Sequence, residues 1–345
     1  MERIKVLPMN EEIQQQWLGK EKTRAFQQFL DGKSCPEKVR ELLAQEPLLL
    51  YLLAAMHRDG ELKAEMFAGS SKTQAKILIY QKYLQWVLTK QLPELLQRKI
   101  TEQDSQDLRR ILTEASLCVI QSGRECVSMS MIEARLQGDE TGKEFLSVAR
   151  ERIGESPLRN ALATFYLQPG RQTGSVEFAH NSFSEFLFAE RLTESLSNWT
   201  KTGRKGRGFN IQQEQMDWEI YDLLGYGGLT PEVVECLMSL VIARDEFQPV
   251  QLFQRLENFY QRWCEGEFIN ADTKNLPQNK SRKLYEQNIK LGQQQVDIYA
   301  GLNVMILLLE LNRYGRKRDD LQEQIIFYPS GKPEDGRFTT QLLRV

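Results

Sequence analysis

The chain has 345 residues, of which 41% are hydrophobic and 27% charged, and its formal net charge is −2. That length has room for about two or three domains with proper cores, and the near-neutral balance excludes a global field directed at nucleic acid or an anionic membrane. The longest apolar runs, Leu48 to Met56 and Val304 to Leu309, are too short to span a bilayer, and no basic–apolar–small signal segment opens the sequence, so a cytoplasmic protein is expected. The five cysteines (Cys35, Cys118, Cys126, Cys236, Cys264) are odd in number, scattered and without a C-x-x-C pair, as reduced thiols would be.

In chain order, Arg3 to Pro8 alternates like a strand, and Met9 to Leu18 begins a helix with Asn10 as its N-cap. Residues Pro36 to Leu62 carry helix-spaced apolar positions; within them Pro47 opens the buried helix Leu48 to Met56. His57, at its end, reads as a cation in the C-terminal turn. Gly69-Ser70-Ser71-Lys72-Thr73 reads as a loop in which Ser70 or Ser71 caps the following helix, which runs to Gln97 with a break near Pro93. A further helix spans about Glu102 to Gln121, with Leu108, Ile111, Leu112, Ala115 and Val119 on one face.

Ser130 to Leu136 and Gly142 to Arg152 look like the two short helices of a winged helix-turn-helix. Phe165 to Leu167 is then the first strand of the wing, Pro169 to Gly174 its turn and Val176 to Ala179 the return strand. His180 sits at the junction between that strand and an apolar helix beginning at Phe183, with Asn181 or Ser182 as N-cap and Ser182 with Glu185 as a capping box. Asn198 to Gly208 is a Gly-rich basic stretch read as a solvated linker. Helices are expected at Met216 to Leu224, Thr230 to Ala243, Pro249 to Trp263 and Val296 to Tyr314; Asn270 to Arg282 is polar and reads as a connecting loop. Aromatics Phe247, Phe253, Phe259, Tyr260 and Trp263 read as core, and Ile325 to Tyr328 has strand character before a turn.

Two segments carry a family resemblance. VEFAHNSFSEFLFAERL, Val176 to Leu192, resembles the F-x-H-x-S-F-x-E-(F/Y)-L-x-A segment in the winged helix of NACHT-type signal-transduction ATPases. QEPLLLYLLAAMHRDG, Gln45 to Gly60, resembles the P-L-L-L-x-L-(I/L)-A element of the small helical domain after a NACHT core. The resemblance implies that His180 approaches the β-phosphate of bound ADP and that Pro47 lies against the adenine. RIKVLP with Trp17 and Leu18 is similar to the last strand of a NACHT sheet and the helix after it.

No G-x-x-x-x-G-K-(S/T) phosphate loop occurs in the sequence, so no ATP hydrolysis is expected of this chain alone and no catalytic residue or metal ligand is assigned. ADP or ATP would bind only if a NACHT P-loop core, upstream or in trans, completed the site. With only His57 and His180 present, a Ser-His-Asp or Cys-His constellation has no support. The region past residue 198 resembles the linker of bacterial, particularly cyanobacterial, NACHT proteins that continue into pentapeptide repeats, although no such repeat occurs here.

The expected fold is mainly α: residues 1–97 as the end of a NACHT core and a small helical domain, 98–197 as a winged helix with a small β-hairpin wing, 198–211 as linker and 212–345 as a second helical domain. The expected role is that of the arm that closes over ADP in a resting switch, with self-oligomerisation on activation. The other readings are a winged-helix nucleic-acid-binding regulator and a gene fragment without function. Opposed charges in Gly142 to Arg152 argue against nucleic acid as a partner.

Overall fold

In the computed structural model the described residues are 46–86, 102–123, 126–138, 167–169, 175–178, 181–203, 208–273 and 275–331, with isolated positions 26, 28, 30, 37, 40 and 143. The architecture is mainly α with one small antiparallel sheet. The expected strand Arg3 to Pro8, the helix from Met9, His180 and nearly all of Gly142 to Arg152 lie outside the described residues.

Helix α1, Pro47–Arg58, starts where Pro47 pre-sets φ and buries Leu49, Leu50, Leu52, Leu53 and Met56. Helix α2, Lys72–Trp86, starts with a reciprocal cap: Gln74 N donates to Ser71 Oγ at 3.2 Å, and Ser71 N donates to Gln74 Oε1 at 2.8 Å. The Gly69 to Thr73 segment is therefore a helix start. His57 does stand in the last turn of α1, but burial beside the Phe26 ring lowers its pKa, so Arg58 is the cation of that turn.

Helix α3, Glu102–Ser122, leads into strand β1, Cys126–Ser128, and helix α4, Met129–Gln137. Ser128 caps α4 by accepting from Met131 N. Strands β2, Leu167–Pro169, and β3, Ser175–Phe178, form the hairpin. The sheet order is β1-β3-β2, with Val127 opposite Val176 and Leu167 opposite Phe178. The described order is thus helix, strand, helix and then a hairpin whose second strand pairs back onto β1. Strand β1 was not expected from the sequence.

Helix α5, Asn181–Thr200, begins at Asn181, so Ser182 lies inside its first turn. Its two halves serve two cores. Phe186 and Leu187 join α1, α2, α3, α4 and β3 in the first; Phe188, Ala189, Leu192, Leu196 and Trp199 join the helices that follow in the second. The stretch after it forms a hairpin-like turn: Thr202 bridges Phe209, and Asn210 N donates to Lys201 O at 2.8 Å.

Helices α6, Gln213–Leu224, α7, Pro231–Ile242, α8, Pro249–Cys264, α9, Leu276–Glu286, and α10, Gln293–Gly315, build the second core. Phe253, Phe259, Tyr260 and Trp263 are buried in it, as expected of core aromatics. Helix α9 overturns the reading of Asn270 to Arg282 as a loop. Asn275 accepts from Gln278 N at 2.9 Å and Pro277 opens the first turn, so the cap signals outweigh the polar composition. Ile325 and Phe327 are buried in alternation but form no strand; Phe327 N donates to Asn312 Oδ1 at 3.4 Å, so a side chain satisfies the backbone where a strand partner would.

Candidate functional site

Of the two residues that the family resemblance points to, Pro47 stands at the start of a helix of the first core and His180 lies outside the described residues. Pro47 is exposed at the first turn of α1, and the residue before it, Glu46, accepts from Lys76 Nζ of α2 at 3.0 Å. Tyr80 and Tyr83 of α2 carry that helix onto the start of α5: their rings lie 5.1 and 5.6 Å from the ring of Phe183, and Tyr80 is 5.4 Å from Phe186. The chain on both sides of His180, up to Phe178 and from Asn181, is thus anchored in the core shared with α1.

A second site lies where α3, α4 and α5 meet the later helices. It is a cleft of ≈ 940 Å³ lined by side chains of α3, α4, α5, α6 and α9. At its floor Glu114 of α3 accepts from three arginines: Arg135 of α4 at 2.5 Å, Arg191 of α5 at 2.6 Å and Arg110 of its own helix at 3.0 Å. Arg135 turns its other two nitrogens to Asp222 of α6, the closer at 2.8 Å. Asp222 also accepts from Lys280 Nζ of α9 at 2.9 Å, while its backbone carbonyl accepts from Gln121 Nε2 at 2.8 Å. At the rim, Arg110 pairs with Glu194, Arg191 donates to Ser195 Oγ at 2.7 Å, and Lys283 sits 4.5 Å over the Trp218 ring.

Burial is what makes these pairs strong. Glu114 is only 4% exposed, and burial alone would push its carboxyl up; Arg135, Arg191 and Arg110 outweigh that and hold it down to about 2. Burial would also raise Asp222, but Arg135 and Lys280 hold it well below the usual carboxylate range. Lys280, 2% exposed, is lowered by burial, with Asp222 opposing the shift. Arg135 rises because Asp222 and Glu114 overcome the burial that would lower it.

The cleft carries five cationic and five carboxylate side chains, so it is a balanced network and not a free anion trap. The cysteine beneath it, Cys118, is pushed up to about 12 by burial and is not a thiolate nucleophile. Among the described residues no group of three or more His, Cys, Asp or Glu is placed to hold a metal ion, and no helix is long and apolar enough to cross a membrane. Comparison with family models, with curated proteins and with solved structures finds no match.

The network escaped sequence reading because, apart from Arg110 with Glu114, its floor charges come from helices far apart in the chain. One signal existed. Glu114 sits three residues after Ile111 and four before Cys118, on the flank of the apolar stripe of α3, where a solvated carboxylate does not belong.

Proposed function

We propose that this chain is the regulatory arm of a NACHT-type nucleotide-dependent switch, closing over ADP held by a P-loop core. The observation that carries this reading is the sheet order β1-β3-β2 set directly before the F-x-H-x-S-F segment, so that the histidine of the motif follows the last strand of a winged helix. The packing of the Pro47 helix, through α2, on the helix that follows His180 supports it as well. In this reading Pro47 contacts the base and His180 the β-phosphate, and ADP-to-ATP exchange removes the differential contact that holds the arm closed. The arm does no chemistry itself.

The reading is tested by titrating this chain into a separately prepared NACHT P-loop core loaded with ADP or with ATP. Tighter association with the ADP form is expected. Equal association with both forms, or none with either, would reject it, since a ligand without differential affinity shifts no equilibrium. Retention of the chain on duplex DNA with a steep loss in salt would instead favour the nucleic-acid reading.

A further inference from the structure

We propose that Arg135 is the tongue of a separable latch that fastens the winged helix to helices α6 and α9. The apolar side chains of α4 (Met131, Ile132, Leu136) belong to the first core, and those of α6 and α9 to the second. Across the cleft between them the contact is made by charge. One planar guanidinium spans it, with Nε on Glu114 and the two terminal nitrogens on Asp222.

The pairing is built so that this link can come out alone. Without Arg135, Glu114 keeps Arg110 and Arg191, and Asp222 keeps Lys280. No carboxylate is stranded, so the usual severe cost of breaking a buried ion pair does not arise. The cleft is large enough for water to take the place of the guanidinium. Opening parts α4, whose apolar residues lie in the first core, from α6 and α9, whose apolar residues lie in the second, while Leu117 and Ile120 of α3, Cys236 and Leu240 of α7, and Ile289 keep the two cores in contact.

Closed, the latch makes the winged helix and the C-terminal helices one arm. Open, it leaves them joined through α5, which serves both cores, through Leu117 and the Gln121–Asp222 carbonyl bond of α3, and through the α2–α7 contact. Removing Asp222 has a different outcome, since Arg135 and Lys280 would then share a buried site with no carboxylate between them.

Hydrogen exchange on the full chain, followed peptide by peptide, distinguishes a latch from a general stabiliser. In Arg135→Met, amides of Met129–Gln137, Gln213–Leu224 and Leu276–Glu286 are expected to exchange about tenfold faster, with α7, α8 and α10 within about twofold of the parent. Arg135→Lys is expected to match Arg135→Met, because a single ammonium cannot hold both carboxylates in a fork. It also keeps the charge, so it reports even where the methionine variant folds poorly. Asp222→Asn is expected to speed exchange throughout the second core. Uniform acceleration in Arg135→Met, no change in it, or parental exchange in Arg135→Lys would overturn the proposal.

Discussion

A methyl group added at Gly301 should destabilise the protein, against the ordinary sign of that change. In the middle of a helix, Gly→Ala gains about 1 kcal/mol. Gly301 lies midway along α10, where a Cβ would come closer than 3.0 Å to three carbons of the Trp263 indole. The ring has no room to withdraw. It is 3% exposed, its Nε1 donates to Asp297 O at 3.0 Å and to Asp297 Oδ2 at 3.2 Å, and Tyr260 lies 5.7 Å away. Overpacking of this kind costs about 1–3 kcal/mol, and contact with three ring atoms places it at the upper end. After the helix gain, Gly301→Ala should lose about 2 kcal/mol, or about 5 °C in melting temperature. Urea titration followed by tryptophan fluorescence would measure it, with near-ultraviolet dichroism reporting the displaced indole. A variant as stable as the parent, or more stable, would refute the packing argument.

Asn303 holds the turn after α6: its Nδ2 donates to Leu224 O and Gly227 O at 2.8 Å each, and its Oδ1 accepts from Leu229 N at 2.9 Å. Asn303→Leu should therefore cost about 2–3 kcal/mol in urea unfolding and speed exchange at residues 224–229. Glu114 should dominate acid sensitivity. Its pKa is depressed from 4.5 to about 2, so its contribution is complete above about pH 4.5 and is lost as pH falls toward about 2, amounting to about 3 kcal/mol. Glu114→Gln should abolish that slope and lower neutral-pH stability by a similar amount, measured by unfolding across pH. Asp297 has the opposite sign. Burial raises its pKa above 3.8, so its contribution is present below that pH and declines as pH rises through the folded value; Asp297→Asn should flatten this part of the profile.

What could be read from the sequence was what local periodicity and capping encode. The α2 cap at Ser71, the α7 start at Thr230 and the apolar run of α1 were legible because each signal lies within a few residues. Strand β1 was not, since three residues show no alternation and its pairing partner, β3, lies about fifty residues on. Helix α9 was hidden by a polar surface: its buried residues are Pro277, Lys280 and Leu284, and only the Asn275 cap with Pro277 announced it. The ionic cleft depends on charges from separate helices meeting across two cores, which no one-dimensional pattern carries. Of the two residues that the family resemblance singles out, Pro47 was correctly read at a helix start, while His180 lies outside the described residues.

The central claim is that His180 senses nucleotide. Calorimetric titration of ADP into this chain fused to a NACHT P-loop core, with His180 and with His180→Ala, tests it most directly. Tight ADP binding that weakens by about tenfold in the alanine variant is expected, the size of one charge-assisted contact. Identical ADP affinity in the two proteins would contradict it and leave His180 a structural residue.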